Sequence, residues 1–482
     1  MNEIRKENFI KINDYLWEIP KSFRFDMRVP ARIYASEEIL NQCLYDESIF
    51  QLINGTTLPG IVNYGIAMPD CHEGYSVPIG FVGAIKTSEG VISPGACGFD
   101  INCGMRLLKS EYTEEEIKPY LEKLATEIQN QVPSGLGRGR KTKLSFKEID
   151  RVLQEGTHIL RKRGFGEDKD VENCEASGKL DWADALTVSQ YAKNRGRDQL
   201  GTLGSGNHFL EIQKVAEIFD EKTAEVFGLF KNQIVIMIHT GSRGLGHQVC
   251  SDYLKIMIPL IKKYGIEVPD REFACVPFNS PAGQRYFSAM ASAANYAWAN
   301  RYMIAHYIRE SWKKVLGQKE NLELLYDVAH NIIKKERYEI NGKETEVIVH
   351  RKGATRAFPP GLMEIPKKYR EVGQPVLIPG SMGTASYVLV GTKKGESSFY
   401  STCHGAGRTM SRHAAIRKIS GQEVIKNLES KGIIIKCWSL KGIAEEAPMS
   451  YKNIDNVVDV VDKAGLSKKV VKLLPLAVIK GE

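Results

Sequence analysis

The chain has 482 residues, 43% apolar and 26% charged, with 66 Lys and Arg against 58 Asp and Glu, a surplus of +8. That is a globular composition with length for a large core, and its mild positive balance leans toward an anionic partner. No apolar run approaches the ~18 residues of a membrane helix, and the opening MNEIRKENFIKINDYLWEIP lacks the apolar stretch of a secretion signal, so a cytoplasmic protein is expected. The nine cysteines are odd in number, scattered, and form no C-x-x-C pair. A disulfide framework and a structural zinc site are both disfavoured.

Thr113 with Glu116 forms a capping box before EEEIKPYLEKLATEIQNQ, and Ser145 with Glu148 repeats it before FKEIDRVLQEGTHILRKRG. Each predicts a helix. Between them lies the basic run from Arg138 to Lys143. Its frame GLGRGRKT resembles a P-loop, but Arg140 stands where that motif needs glycine, and a helix rather than a strand precedes it. With Arg161-Lys162-Arg163 and Arg351-Lys352 the run permits nucleic-acid binding without establishing it. GHQVCSDYLKIMIPLIKKYG reads as an amphipathic helix stopped by Gly265. Pro281 opens a segment rich in Ala and aromatic residues that closes at Gly317, predicting one long, largely buried helix. Strand-like runs are QIVIMIHTG, LELLYDVAHN, TEVIVHRKG, QPVLIPGSMG and ASYVLVG. There is no internal repeat, no low-complexity linker and no regular βαβα rhythm. The expectation is an α+β fold: one compact domain over 1–482, with mixed β-sheets and surrounding helices.

Four of the ten histidines fall at strand ends or in glycine-rich turns: His208, His239, His330 and His404. Strand ends are where a metal can gather ligands from distant parts of a chain. Asp100 and Cys103 sit in GACGFDINCGMR. In an extended strand residues three apart would lie about 10 Å apart on opposite faces. In a bend, which Gly95, Gly98 and Gly104 allow, they come together. Asp100, Cys103, His208, His239 and His330 are too many ligands for one catalytic tetrahedral site, and they suit two metals that share a bridging thiolate. The loops GTLGSGN, HTGSRGLG, PGSMGTAS and HGAGR can turn backbone N–H groups onto phosphate oxygens, and Arg243 and Arg408 add charge. The Lys-x-Asp-Gly nucleophile motif is absent, whereas a neutral imidazole can attack phosphorus directly. His404, in its own glycine loop, is the candidate nucleophile.

The segments MPDCHEGYSVPIG, DINCGMR, GTLGSGNHFLEI, HTGSRGLG, AHN, HRKGATRAF, PGSMGTASYVL and CHGAGR, in this order, resemble the RtcB family of RNA-splicing ligases. The resemblance implies a ligase that joins RNA 2′,3′-cyclic phosphate or 3′-phosphate ends to 5′-hydroxyl ends, in tRNA splicing or RNA repair. It implies GTP and two Mn²⁺ ions, with archease as a candidate activator. His404 matches the guanylylated histidine, and Asp70 matches an acidic residue near the centre, beside His72. The same five metal ligands match, with Cys103 bridging, Asp100 and His208 completing one ion, and His239 and His330 the other. Guanosine contacts would fall on Asn207, His208, Glu211, His330 and Asn331, then on Pro379, Gly380, Ser381, Met382 and Ser386. Gly405, Ala406 and Gly407 follow His404 in that set, with Tyr451 and Lys480 near the C-terminus. Cys71 departs from the small residue common there, and Cys97 is assigned to packing. The RNA track would use Arg243, Arg351, Lys352, Arg408 and Arg412. The rivals are a dinuclear metal-dependent phosphodiesterase acting on nucleic acid and a non-catalytic RNA-binding protein with a structural metal.

Overall fold

A computed structural model describes residues 4–135, 139–270, 272–317 and 321–481, so Arg138 lies outside the described residues. The β-branched runs build two large sheets. One has seven strands in the order Ile10–Asn13, Leu16–Ile19, Ala31–Tyr34, Ile61–His72, Ile79–Lys86, Lys343–Lys352, Asn331–Ile340. The other has eight, in the order Glu323–Ala329, Gly104–Thr113, Gln233–Thr240, Phe209–Ile218, Ser467–Lys480, Ser386–Gly391, Pro375–Ile378, with Ile434–Cys437 added in parallel to Ser467–Lys480. His330 is the hand-over point: the strand before it edges the second sheet, and the strand after it edges the first. A short ladder, Ala354–Arg356 with Ser401–Cys403, delivers the chain to His404. The fold is α+β, as expected.

The run IVIMI is continuously apolar because both faces of its strand are covered. Val235 and Met237 pack in one apolar cluster, and Ile234, Ile236 and Ile238 in another. No such run marks the neighbouring strand Gly104–Thr113. It buries Arg106 and Lys109, whose charges meet Asp327 and Glu323 and interrupt the apolar residues Met105, Leu107 and Leu108.

Pro281–Leu316 is one helix, capped by the Ser280 hydroxyl, which accepts from Gly283 N at 3.1 Å. At 36 residues it runs about 54 Å, and it buries Trp298, Arg301, Tyr302 and Trp312 completely. Both capping boxes form, with Thr113 N and Ser145 N each donating to the glutamate three residues on. The helices behind them are shorter than the pattern suggested. The first gives way to a 3₁₀ turn at Lys118–Tyr120, which contains Pro119, a residue without an N–H to continue the ladder. The second breaks at Gly156, where φ is +56° and an added Cβ would lie 2.2 Å from the Gly178 carbonyl oxygen. Among the described residues no helix is long and apolar enough to cross a membrane.

Candidate active site

The register of the eight-stranded sheet gathers the predicted ligands at one edge. Gly104, directly after Cys103, pairs with Thr240 on one side and Ala329 on the other; Phe209, directly after His208, pairs with His239; and Lys480 pairs with Phe209. Neighbouring strands lie about 4.8 Å apart, so residues far apart in sequence become close neighbours here.

Asp100 and Cys103 come together in a tight turn, closed by Cys103 N donating to Asp100 O at 2.9 Å. The left-handed residue of this turn is Asn102, at φ +53°. Its side chain donates to Ala294 O at 2.7 Å, tying the turn to the long helix. Two donor groups result, Asp100–Cys103–His208 and Cys103–His239–His330, each with its ligand atoms within 4.8 Å of one another. Cys103 Sγ lies 3.5 Å from His208 Nε2 and 3.3 Å from His239 Nε2, and His239 Nε2 lies 3.4 Å from His330 Nε2. Ligands at roughly 2.0–2.3 Å from one ion are separated by such distances. His239 Nδ1 sits 3.1 Å from Asn207 O, an acceptor that fixes the tautomer and leaves Nε2 for a metal.

The ionisation states follow from burial. Burial, then the neighbouring histidines, pushes His239 and His330 well below the ordinary imidazole range, which keeps them neutral and able to ligate. Burial would raise Asp100, but His208 outweighs it and holds the carboxyl at about 2. Burial and the Asp100 charge push the Cys103 thiol up. A cation between them would reverse that by stabilising the thiolate. The mixed S, N and O donors fit two transition-metal ions that share the sulfur.

Arg301, which has no motif around it, ties the ligand-bearing segments together. Its Nη1 donates to Asn102 O and Thr240 O, each at 2.8 Å, and its Nη2 to Asn102 Oδ1 at 3.0 Å. Asn102 and Thr240 adjoin Cys103 and His239. Asp327, three residues before His330, neutralises Arg301 at 2.8 Å and Arg106 at 2.7 Å. All three charges are fully buried. Nothing in the spacing of the sequence could have singled out Arg301, because its partners, Asn102, Thr240 and Asp327, all lie far from it in the chain.

His404 stands against this centre, its ring centroid 5.1 Å from that of His330. Asp70 Oδ2 accepts from the backbone N–H of His404 at 2.8 Å and of Gly405 at 3.1 Å. His404 Nδ1 lies 2.5 Å from the same oxygen, though off the line of a well-formed hydrogen bond. Burial alone would raise the Asp70 carboxyl; the His404 ring and these N–H bonds outweigh it and hold it below the usual range. Nδ1 thus lies in close charge contact with the Asp70 carboxylate. Gly407, at φ +73°, lets the loop press on this strand, since an added Cβ would lie 2.2 Å from Asp70 O.

Beside His404 opens a cavity of about 220 Å³. Asn207, Pro379 to Met382, His404 to Gly407, Tyr451 and Lys480 line it, as do His72, Arg408 and Arg412. Asn331 and Ser386 are not part of its lining; Asn331 ties the Asp100 turn to Gly353, and Ser386 supports the wall. Asn331 donates to Asp100 O at 3.1 Å and accepts from Gly353 N at 2.8 Å. The Ser386 hydroxyl accepts from Gly380 N at 3.2 Å. Glu211 lies behind the wall, where burial raises its carboxyl to about 8. Lys480, within its field, is lowered by burial to about 8.

The wall also contains a carboxylate with no sequence signal, Glu446. It accepts from Arg408 Nη1 at 3.1 Å, Arg412 Nε at 2.9 Å and the Tyr451 hydroxyl. Arg412 therefore belongs to this cavity. Arg243, at φ +56°, borders the Asp100 group with its Nη2 unpartnered. Two residues assigned to the RNA track are corrected. Arg351 is fully buried, bonded to Glu336, Ser401 Oγ and Phe399 O. Lys352 is 5% exposed and donates to the Tyr75 and Val77 carbonyls. Both cations are taken up by these internal partners and do not face an external phosphate. Cys97 is buried in the core.

The family model described as tRNA-splicing ligase RtcB matches residues 51–481. A relative from Archaeoglobus fulgidus, called tRNA-splicing ligase RtcB, is 53% identical over 475 residues, 98% of each chain. Proteins of the same name from Thermococcus kodakarensis and Aeropyrum pernix are 50% and 51% identical, covering 98% of this chain and 98% and 99% of their own. With the match running through every segment of the site, the chain belongs to the RtcB family.

Proposed function

We propose that the chain is a GTP-dependent RNA ligase that joins a 2′,3′-cyclic phosphate or 3′-phosphate end to a 5′-hydroxyl end, in tRNA splicing or RNA repair. One observation carries this reading: a histidine fixed by a buried carboxylate stands between a double set of metal ligands and a cavity of glycine loops and cations. A dinuclear phosphodiesterase would use the ligands but would have no task for His404.

In the proposed sequence, water first opens the cyclic phosphate to a 3′-phosphate. His404 Nε2 then attacks the α-phosphorus of GTP; the N–P bond forms, the bond to the β-phosphate oxygen breaks, and pyrophosphate leaves. Asp70, accepting at the Nδ1 side, stabilises the positive charge that develops on the ring. An oxygen of the RNA 3′-phosphate next attacks the histidine-bound GMP, releasing the ring and forming RNA(3′)pp(5′)G. The 5′-hydroxyl finally attacks the RNA phosphate, and GMP departs, so the junction phosphate comes from the RNA. Two Mn²⁺ held by Asp100, Cys103, His208, His239 and His330 would supply Lewis acidity and charge neutralisation. Arg408, Arg412, Lys480 and the unpartnered Nη2 of Arg243 hold phosphate charge near the reacting atoms.

Incubation with [α-³²P]GTP and Mn²⁺, followed by denaturation, should leave an acid-labile label on the protein. No label, or an equal label in His404→Ala, would overturn the mechanism. Because the thiolate favours Zn²⁺ over Mn²⁺, excess Zn²⁺ should inhibit; ligation at full rate in its presence would contradict the assigned centre.

A further inference from the structure

Arg356, in the motif HRKGATRAF, faces a different part of the molecule from His404. It pairs with Ser401, three residues before His404 and so about 10 Å back along the strand. It lines a second cavity, of about 750 Å³, which shares no residue with the one at His404. Its walls are the segment 172–182, the strand Asn331–Ile340 and the chain around the 3₁₀ turn Lys367–Tyr369.

Three buried donors border this cavity without a partner: Arg356 Nη2, Arg370 Nε and Trp182 Nε1. Arg356 is 5% exposed. Its Nε donates to Gln374 Oε1 at 2.9 Å, and the Tyr326 hydroxyl beside it is not aligned as an acceptor. The nearest carboxylate, Glu175, is 3.6 Å from Arg356 and already bonded to Lys334 Nζ at 2.6 Å and Ala329 N at 2.7 Å. Glu175 and Glu336 together hold the Arg356 charge, and what Arg356 leaves open to a ligand is the unpartnered Nη2. Around it the lining holds seven Lys and Arg against Glu172, Asp181 and Glu364, a surplus of four where the whole chain has eight. The adjoining cavity shares Lys334, Lys335, Arg356 and Glu364 and adds Arg337, but it also adds Glu336, Glu339, Glu346 and Glu396, so the positive surplus ends there. The site is compact and not a long track.

We propose that this cavity is a second anion site, which takes the phosphoryl oxygens of one nucleotide unit on Arg356, Arg370 and Trp182. Guanidinium and indole groups only donate, and a phosphoryl group offers several acceptor oxygens to donors that line one cavity from separate segments. The site needs neither His404 nor the metal centre, so it stands apart from the ligase reading.

The test is a titration of the full chain in EDTA, which silences the metal centre, reading the Trp182 emission as the difference from Trp182→Phe. The probes are inorganic pyrophosphate, GTP and a single-stranded oligoribonucleotide with hydroxyls at both ends. At least one probe should give a saturable change. Tightest binding of the oligonucleotide assigns the site to substrate RNA; tightest binding of GTP or pyrophosphate assigns it to a free nucleotide. Arg356→Gln should weaken binding about tenfold. Because that side chain is buried, the exposed pair Lys335→Gln with Lys368→Gln serves as the second variant. For the oligonucleotide, each lysine lost should flatten the dependence of log K on log salt by about 0.7. No saturable change with any probe, or unchanged affinity in both variants, would overturn the proposal.

Discussion

The two halves of the active site are held in different ways. On the metal side, ligands stand at the ends of buried neighbouring strands, and one enclosed arginine grips the carbonyls beside them. On the nucleotide side, Arg408, Arg412 and Tyr451 converge through side chains on the single carboxylate of Glu446, and Arg412 is half exposed. Backbone hydrogen bonds between sheet strands fix positions tightly, whereas long side chains around one carboxylate can re-pack. The contrast suits the proposed function, in which two ions would stay in place while a nucleotide enters, reacts and leaves.

His404 is where the two halves meet, so its loss should have the largest effect. His404→Ala should cut ligation and GTP labelling by on the order of 10⁴-fold or more, while leaving Mn²⁺ affinity near the parent value. A parallel loss of metal binding would show that the halves are not separable. Next is Arg301. Arg301→Met strands Asp327 with incomplete compensation and should cost about 3–5 kcal/mol in denaturant unfolding. Arg301→Lys keeps the charge but not the fork; it should weaken Mn²⁺ binding about 10–100-fold, with labelling recovered at high Mn²⁺. Unchanged metal affinity in Arg301→Lys would remove Arg301 from the metal side.

Glu211 probes the buried edge of the nucleotide side through pH. Its carboxyl is held neutral up to about pH 8 in the folded chain and ionises near its ordinary value of 4.5 when unfolded. As pH rises through that window the unfolded state alone gains from ionisation, so the parent loses stability relative to Glu211→Gln. The variant should be more stable by a few kcal/mol at pH 8, since each tenfold change in an ionisation constant is worth roughly 1.4 kcal/mol, and equal to the parent below pH 4.5. Equal stability at both ends would show that Glu211 is not desolvated. The smallest effect is expected at Glu446. Glu446→Gln should raise the KM for GTP about tenfold, the loss of roughly one charge-assisted bond, with Mn²⁺ affinity untouched. A change in metal affinity instead would erase the contrast between the halves.

Much of this was legible from local signals. Pro281 and Gly317 bound the long helix in the sequence as they do in the fold, because caps act within one turn. The glycines around Asp100 and Cys103 allow the bend between them, yet a left-handed asparagine makes the turn. Arg351 and Lys352 looked like a surface cluster, since adjacent cations usually are. Here strand alternation sends them to opposite faces, one to Glu336 and the other to the Tyr75 and Val77 carbonyls. Arg106 hid its strand because a buried ion pair looks polar in sequence.

By itself the sequence determined which residue types could do the chemistry: the histidines at strand ends, the carboxylate and thiol in one turn, the candidate nucleophile in its glycine loop. These are short-range statements, and a short stretch of chain contains each of them. Only the tertiary structure showed that the ligand atoms fall into two close groups, that His404 Nδ1 lies against Asp70, and that Arg301, Asp327 and Glu446 hold the surrounding segments. Those depend on strand register and on contacts between segments far apart in the chain, and a side chain that bonds a distant carbonyl leaves no periodicity near itself.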